Sequence, residues 1–198
     1  MEKKKRNPKN VLVRILLSSE DERGKNMTWK NEKKSKALLV VFGIYLALLV
    51  WCILFKFALR PEEIPHLRGI NLIPYAASVV VNGKVQISEI IENMLVFLPF
   101  GLCISAFYPD SEIQNRILLA SGLSLFFEVT QYIFAIGASD ITDVIDNTLG
   151  AVIGILLYLG MKKIWKEKTG KIITILGAVL EVLFLALLFF TFAANGMF

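Results

Sequence analysis

Three groups of polar residues at helical spacing interrupt stretches that are otherwise apolar. Glu89, Glu92 and Asn93 stand at i, i+3, i+4; Ser121, Ser124, Glu128 and Gln131 at i, i+3, i+7, i+10; Asp143, Asp146, Asn147 and Gly150 at i, i+3, i+4, i+7. Carboxylates and amides gathered on one helix face can hold a cation, pass a proton as general acid or base, or bind a polar ligand. A charged side chain within a bilayer costs roughly 2.5–3.5 kcal/mol on insertion scales, so chains keep such residues where they pair or face a cavity. Three such stripes predict one shared polar site. The plainer alternative is that these residues snorkel or bond neighbouring helices near span ends.

The elements that position them follow from composition. A chain of 198 residues with 55% hydrophobic residues and mean hydropathy +0.59 is too apolar for an ordinary soluble domain. Residues 37–55 give 19 positions without a charge, enough to cross about 30 Å of hydrocarbon at about 1.5 Å per residue. Four further apolar runs cover about 87–107, 116–136, 144–161 and 172–193, the last with Glu181 as its one charge. The expected architecture is therefore all-α: a polytopic bundle of five transmembrane helices over 37–193, preceded by a basic extension over 1–36. No cleavable signal pattern precedes the first span, so that span itself is expected to direct insertion.

Lysine and arginine supply an orientation. Residues 1–36 hold 12 of the 22 basic residues, and the connection 162–171 holds five more. With five spans both lie on one side, which the positive-inside rule makes cytoplasmic; the C-terminal tail is then outside. The loop 56–86 spreads Lys56, Arg60, Arg68 and Lys84 over 31 residues, and the turn around Asp140 has no basic residue. All three polar stripes then converge beneath the outer surface. The extension, with five acidic residues and net +7 against −2 for the remainder, is expected to meet anionic headgroups. Its segment Val11 to Leu17 reads either as a short amphipathic turn or as part of a disordered tail. Nucleic-acid binding is excluded, since no aromatic or helix-turn-helix context accompanies the charge.

Several residues speak to packing. Pro99 removes a backbone donor and clashes with the carbonyl of Leu95, predicting a kink. Gly150 and Gly154 form a GxxxG that allows close helix approach, here expected within the chain. Asp140, Ser139 or Thr142 is placed to cap the helix that begins near Asp143. The acids are also of the oxygen-rich type that holds Ca²⁺ or Mg²⁺, but no metal motif is present and the sequence requires no cofactor. His66 is the only histidine; it lies in a loop without HExxH or triad spacing and reads as solvated. Cys52 and Cys103 fall in opposite halves of their spans, which excludes a disulfide. There is no P-loop or dinucleotide fingerprint.

The stretch IIENMLVFLPFG, followed by FFEVTQYIFAIGASDITDVIDNTLGAVIG, resembles the VanZ family, and NLIPY at Asn71 to Tyr75 resembles the corresponding loop. The resemblance covers roughly 37–161, and the family pattern falls on Asn93, Phe97, Pro99, Gly101, Glu128, Gln131, Gly137, Asp140, Asp143, Asn147, Gly150 and Gly154. Many broader family members carry arginine after the glycine, whereas this chain has Ala138 and resembles the teicoplanin-type subgroup in that, so a bound cation, a proton or a ligand amine is left to balance the acids. The resemblance implies a bacterial plasma-membrane protein that lowers susceptibility to lipid-bearing glycopeptides such as teicoplanin, and it supplies no reaction. Expected partners are membrane lipids, with teicoplanin or a lipid-linked wall precursor at the outer site. Two other readings stay open: a membrane enzyme acting on an envelope component with Glu128 as acid or base and Asp143 or Asp140 as its partner, and a small proton-coupled transporter, which the absence of an inverted repeat disfavours.

Overall fold

A computed structural model describes residues 36–56, 58, 61–64, 67–75, 80–81, 84–85 and 87–194. The basic extension up to residue 35, with Val11 to Leu17, lies outside the described residues, as do His66 and the last four residues. The chain divides after Ala37 into two units, the first almost wholly outside that set.

The protein is mostly helical. Helix α1 is Lys36–Phe55, α2 Ile87–Phe107, α3 Ile113–Phe134, α4 Ile141–Trp165 and α5 Thr169–Ala194. A 3₁₀ turn, Lys166–Lys168, joins the last two. Four continuous helical segments are long and apolar enough to cross a membrane, the fourth being Ile141–Ala194 with its 54 residues. Helices α3 and α4 begin about three residues earlier than hydropathy alone suggests, because their first turns are polar.

Two minor sheets accompany the helices. Strands β1 (Leu67–Asn71) and β4 (Ile136–Asp140) pair in parallel, from Leu67 opposite Ile136 to Asn71 opposite Asp140. Strands β2 (Val80–Val81) and β3 (Lys84–Val85) form a short antiparallel hairpin. The segment before α2, read from sequence as a long loop, thus contributes half of a parallel ladder.

Lipid is as apolar as leucine, so helix association in a bilayer depends on close packing and hydrogen bonds. The described helices meet that need with small residues and rings. A Cβ built on Gly101 of α2 would lie 2.0 Å from the Ala151 carbonyl oxygen, and on Gly150 and Gly154 of α4 it would lie 2.1 Å from the oxygens of Met94 and Leu98. The backbones of α2 and α4 therefore touch, and they run parallel, since residues 94 and 98 meet 150 and 154 in order. Helix α2 continues through Pro99 without interruption.

Beside this seam, Phe97 is fully buried and meets Phe127 of α3 edge-on at 6.4 Å and Phe100 at 6.0 Å. Helix α1 closes the group through Phe42 against Phe100 at 5.8 Å and through the Tyr45 hydroxyl, which donates to the Val96 carbonyl at 2.8 Å. The opposite faces carry exposed leucines, isoleucines and phenylalanines, among them Leu118, Phe126 and Leu156, as a lipid-facing surface requires. Cys52 and Cys103 are both free. Helix α5 buries only Thr169 and Ile173, and it touches α1 where Gly177 meets Val41 and Phe192 meets Trp51.

Replacing Gly101 or Gly154 by Ala forces the α2 and α4 backbones apart and should cost about 1–3 kcal/mol or more. Gly122→Ala and Gly160→Ala, with nothing near the added methyl, should be neutral or stabilising by about 1 kcal/mol. Thermal melting in detergent checks the contrast, and equal melting of the two pairs refutes the close approach.

Candidate functional site

At one end of the bundle α1 and α3 finish while α2 and α4 begin, and β1 and β4 lie across that end. The local sequence explains the turn. Helix α3 stops at Ala135, in the left-handed region at φ 55°, with its amide donating back to Gln131 and Tyr132. Five extended residues follow, and Asp140 then opens α4 as its N-cap, Oδ1 accepting from the Thr142 amide at 2.8 Å. An N-cap carboxylate satisfies an otherwise unpaired helix amide and complements the helix dipole.

Asp140 does more than cap. Its other oxygen accepts from Asn71 Nδ2 at 2.9 Å, tying the end of β1 to the start of α4. Its amide donates to Glu128 Oε2 at 2.8 Å, and Ser139 Oγ donates to the Glu128 carbonyl. Glu128, 4% exposed, is thus held in place by the strand that follows its own helix. Across the seam the Asp143 Oδ1 accepts from Asn93 Nδ2 of α2 at 2.8 Å. One turn deeper Asn147 donates to Ser124 Oγ at 2.9 Å. The polar layer therefore spans α2, α3, α4 and both strands.

The turn after β1 covers this layer. Tyr75 donates its amide to Thr142 Oγ1 at 3.0 Å and its phenol to Asp146 Oδ1, also at 3.0 Å. It does so at φ 59°, a region that non-glycine residues adopt at a cost of about 1–2 kcal/mol. Partial desolvation, and after it the hydrogen bond and charge of Asp146, raise the Tyr75 phenol above its ordinary value, so it remains a donor at neutral pH. Asp146 itself is 1% exposed beneath it.

Among the residues singled out from sequence, Glu128, Asp140, Asp143, Asp146, Asn93 and Asn147 come together. Glu89 stands beside them half-buried, within electrostatic reach of Asp140 and Asp146. Glu92 is exposed, and its charge reaches Cys52 of α1 and Glu89. Gln131 turns to α1 and donates to the Ile53 carbonyl at 2.9 Å, with Gly137 against its amide. Ser121 bonds within its own helix. Asn71, Tyr75 and Thr142 were not assigned a part in the cluster; the signal for the first two is that NLIPY is a turn with a polar residue at each end.

Among the described residues the nearby cations are Lys56, whose charge reaches Glu89 and Glu128, and Arg68. The latter is engaged, donating to the Ile133 carbonyl at 3.2 Å and lying 5.5 Å over the Tyr132 ring. Among the described residues no three acidic, histidine or cysteine side chains are arranged to hold a metal ion. The arrangement suits binding of a polar group by oxygen acceptors.

Comparison with known proteins adds two findings. A family model described as VanZ/LLP1 matches residues 42–166. Protein VanZ of Enterococcus faecium is 37% identical over 148 residues, covering 73% of this chain and 88% of the relative. No solved structure matches.

Asp140→Ala removes the cap and the Asn71 partner together, and it should lower stability by roughly 1–2 kcal/mol. Hydrogen exchange should rise at Thr142 and along β1; unchanged exchange at both would refute the double role.

Proposed function

This chain belongs to the VanZ/LLP1 family, and from that premise we propose that it is a multi-pass plasma-membrane protein that lowers susceptibility to teicoplanin-type glycopeptides through an outward-facing polar site. The observation that carries the proposal is the convergence of Glu128, Asp140, Asp143 and Asp146 at one end of the bundle, reached by hydrogen bonds from β1, α2 and the Tyr75 turn. In this reading the site engages the drug or a membrane lipid, or alters access to the lipid-linked wall precursor. Partners are thus membrane lipids and one of these amphiphiles.

Five crossings and an outward site are part of the same proposal. A single 54-residue helix would be about 80 Å long at about 1.5 Å per residue, far beyond a hydrocarbon core of about 30 Å. The break at Lys166, φ 49°, favours a reversal there. So does the contact order of α5 on α1, in which Gly177 and Phe192 meet Val41 and Trp51 in the same sense. Helix α5 then runs parallel to α1 and antiparallel to α4. Lys162, Lys163, Lys166, Lys168 and Lys171 crowd the end away from the acids, and the positive-inside rule favours the cytoplasm for that end. The N-terminus is then inside, the C-terminus outside, and the carboxylate end faces the exterior.

Glu128→Gln and Asp143→Asn should each abolish protection against teicoplanin while protein abundance and vancomycin sensitivity stay unchanged, measured as inhibitory concentrations in a susceptible host. Cells carrying the unaltered protein should bind less labelled teicoplanin at the surface. Full protection by both variants refutes the polar site, and a covalently altered wall precursor or lipid that depends on Glu128, seen by mass spectrometry, replaces binding with catalysis.

A further inference from the structure

We propose that the group taken up by this site is a primary ammonium carried by an amphiphile. The inference deepens the proposed function and rests on it for the outward placement of the site.

Counting donors against acceptors leads there. Asp140 uses both oxygens within the fold. Glu128, Asp143 and Asp146 each receive one hydrogen bond, from Asp140, Asn93 and Tyr75, and each keeps a second oxygen with no donor among the described residues. Asn147 adds an independent demand. It is 2% exposed, its Nδ2 donates across the α3–α4 seam to Ser124, and its Oδ1 is buried without a partner among the described residues. Asn147 lies one turn below Asp143 on α4, and Ser124 one turn below Glu128 on α3, so the Asn147–Ser124 pair sits in the seam beneath both carboxylates. A buried acceptor without a donor costs about 1–3 kcal/mol. The unmet need is for hydrogen-bond donors and positive charge, and an ammonium brings three N–H groups with its charge.

The other ligand classes fit less well. No three acidic, histidine or cysteine side chains among the described residues are arranged for a metal ion. A phosphate or pyrophosphate would meet these same carboxylates with Lys56 as the cation not already engaged among the described residues, and like charges in a poorly solvated site repel strongly. The amphiphilic character comes from the covering turn. Leu72 is 74% exposed and Ile73 67% exposed, immediately before the Tyr75 that bonds Asp146. An alkyl chain attached to the ammonium would lie against these side chains.

The ammonium has two possible sources, an aminophospholipid headgroup or an amine on an amphiphilic drug. The test uses the full chain in phosphatidylcholine nanodiscs, titrated by calorimetry with octylammonium, octyl phosphate and octanol, with empty discs subtracted. Saturable binding of octylammonium alone is expected, and Asp143→Asn and Asp146→Asn should each weaken it about tenfold, with helicity checked by circular dichroism. Should a variant not fold, the three probes on the unaltered chain still decide. Absence of saturable octylammonium binding, or equal binding of octyl phosphate, overturns the proposal. Displacement of bound octylammonium by lysophosphatidylethanolamine or by teicoplanin supports it and identifies the source. Octylammonium binding by the unaltered chain together with full teicoplanin protection by Glu128→Gln and Asp143→Asn cells would uphold the ammonium site and refute its role in resistance, so the two failures are separable.

Discussion

Contact between the backbones of α2 and α4 governs the rest of the molecule. Where lipid replaces water, apolar side chains gain little by meeting one another, and helices stay together through short-range dispersion and polar bonds. Gly101, Gly150 and Gly154 let main-chain atoms approach as no larger residue would. That approach brings Asn93 within 2.8 Å of Asp143 and seats Phe97 beneath α3. Widening the seam by one methyl would loosen the ring cluster and pull the amide from the carboxylate in the same movement. Stability and site geometry therefore share one set of atoms.

The second device is the parallel pair β1–β4. A two-stranded ladder is weak by itself, yet here both strands end in side chains that bind each other, Asn71 and Asp140. The strands carry the polar ends of the helices from one segment of chain to another and satisfy backbone groups that would otherwise be exposed near the bilayer surface. Asp140 links ladder, helix cap and Glu128 through three hydrogen bonds. Few residues in the protein connect so many elements.

Sequence periodicity reveals what lies within one helix and loses what joins distant ones. The 3.6-residue rhythm places Glu128 and Ser124 on one face of α3 and Asp143, Asp146 and Asn147 on one face of α4, and the structure has them facing each other. Asp140 as a cap and Gly150 with Gly154 as a close-packing pair are equally local patterns. By contrast, β1 pairs with a partner 69 residues away, and neither five-residue strand has a strong alternation to announce it. Glu92 shows the limit of a stripe. It adjoins Asn93 in sequence, and adjacent helical residues diverge by about 100°, so one can serve the seam while the other leaves it. Gln131 sits on the Glu128 face, but the nearby end of α1 offers it a carbonyl, which no single-helix pattern can foretell. The family resemblance, carried by motifs from three helices at once, is supported by the match over residues 42–166.

Tyr75 is fastened by two hydrogen bonds against its own backbone preference. The amide bond contributes about 0.5–1.5 kcal/mol net and the phenol–carboxylate bond about 1.5–3, and the left-handed conformation gives back about 1–2. The balance holds the tyrosine over Asp146 by no more than a few kcal/mol. The roof of the site is thus a single strained turn held by two side-chain partners on α4, and its walls are the helices.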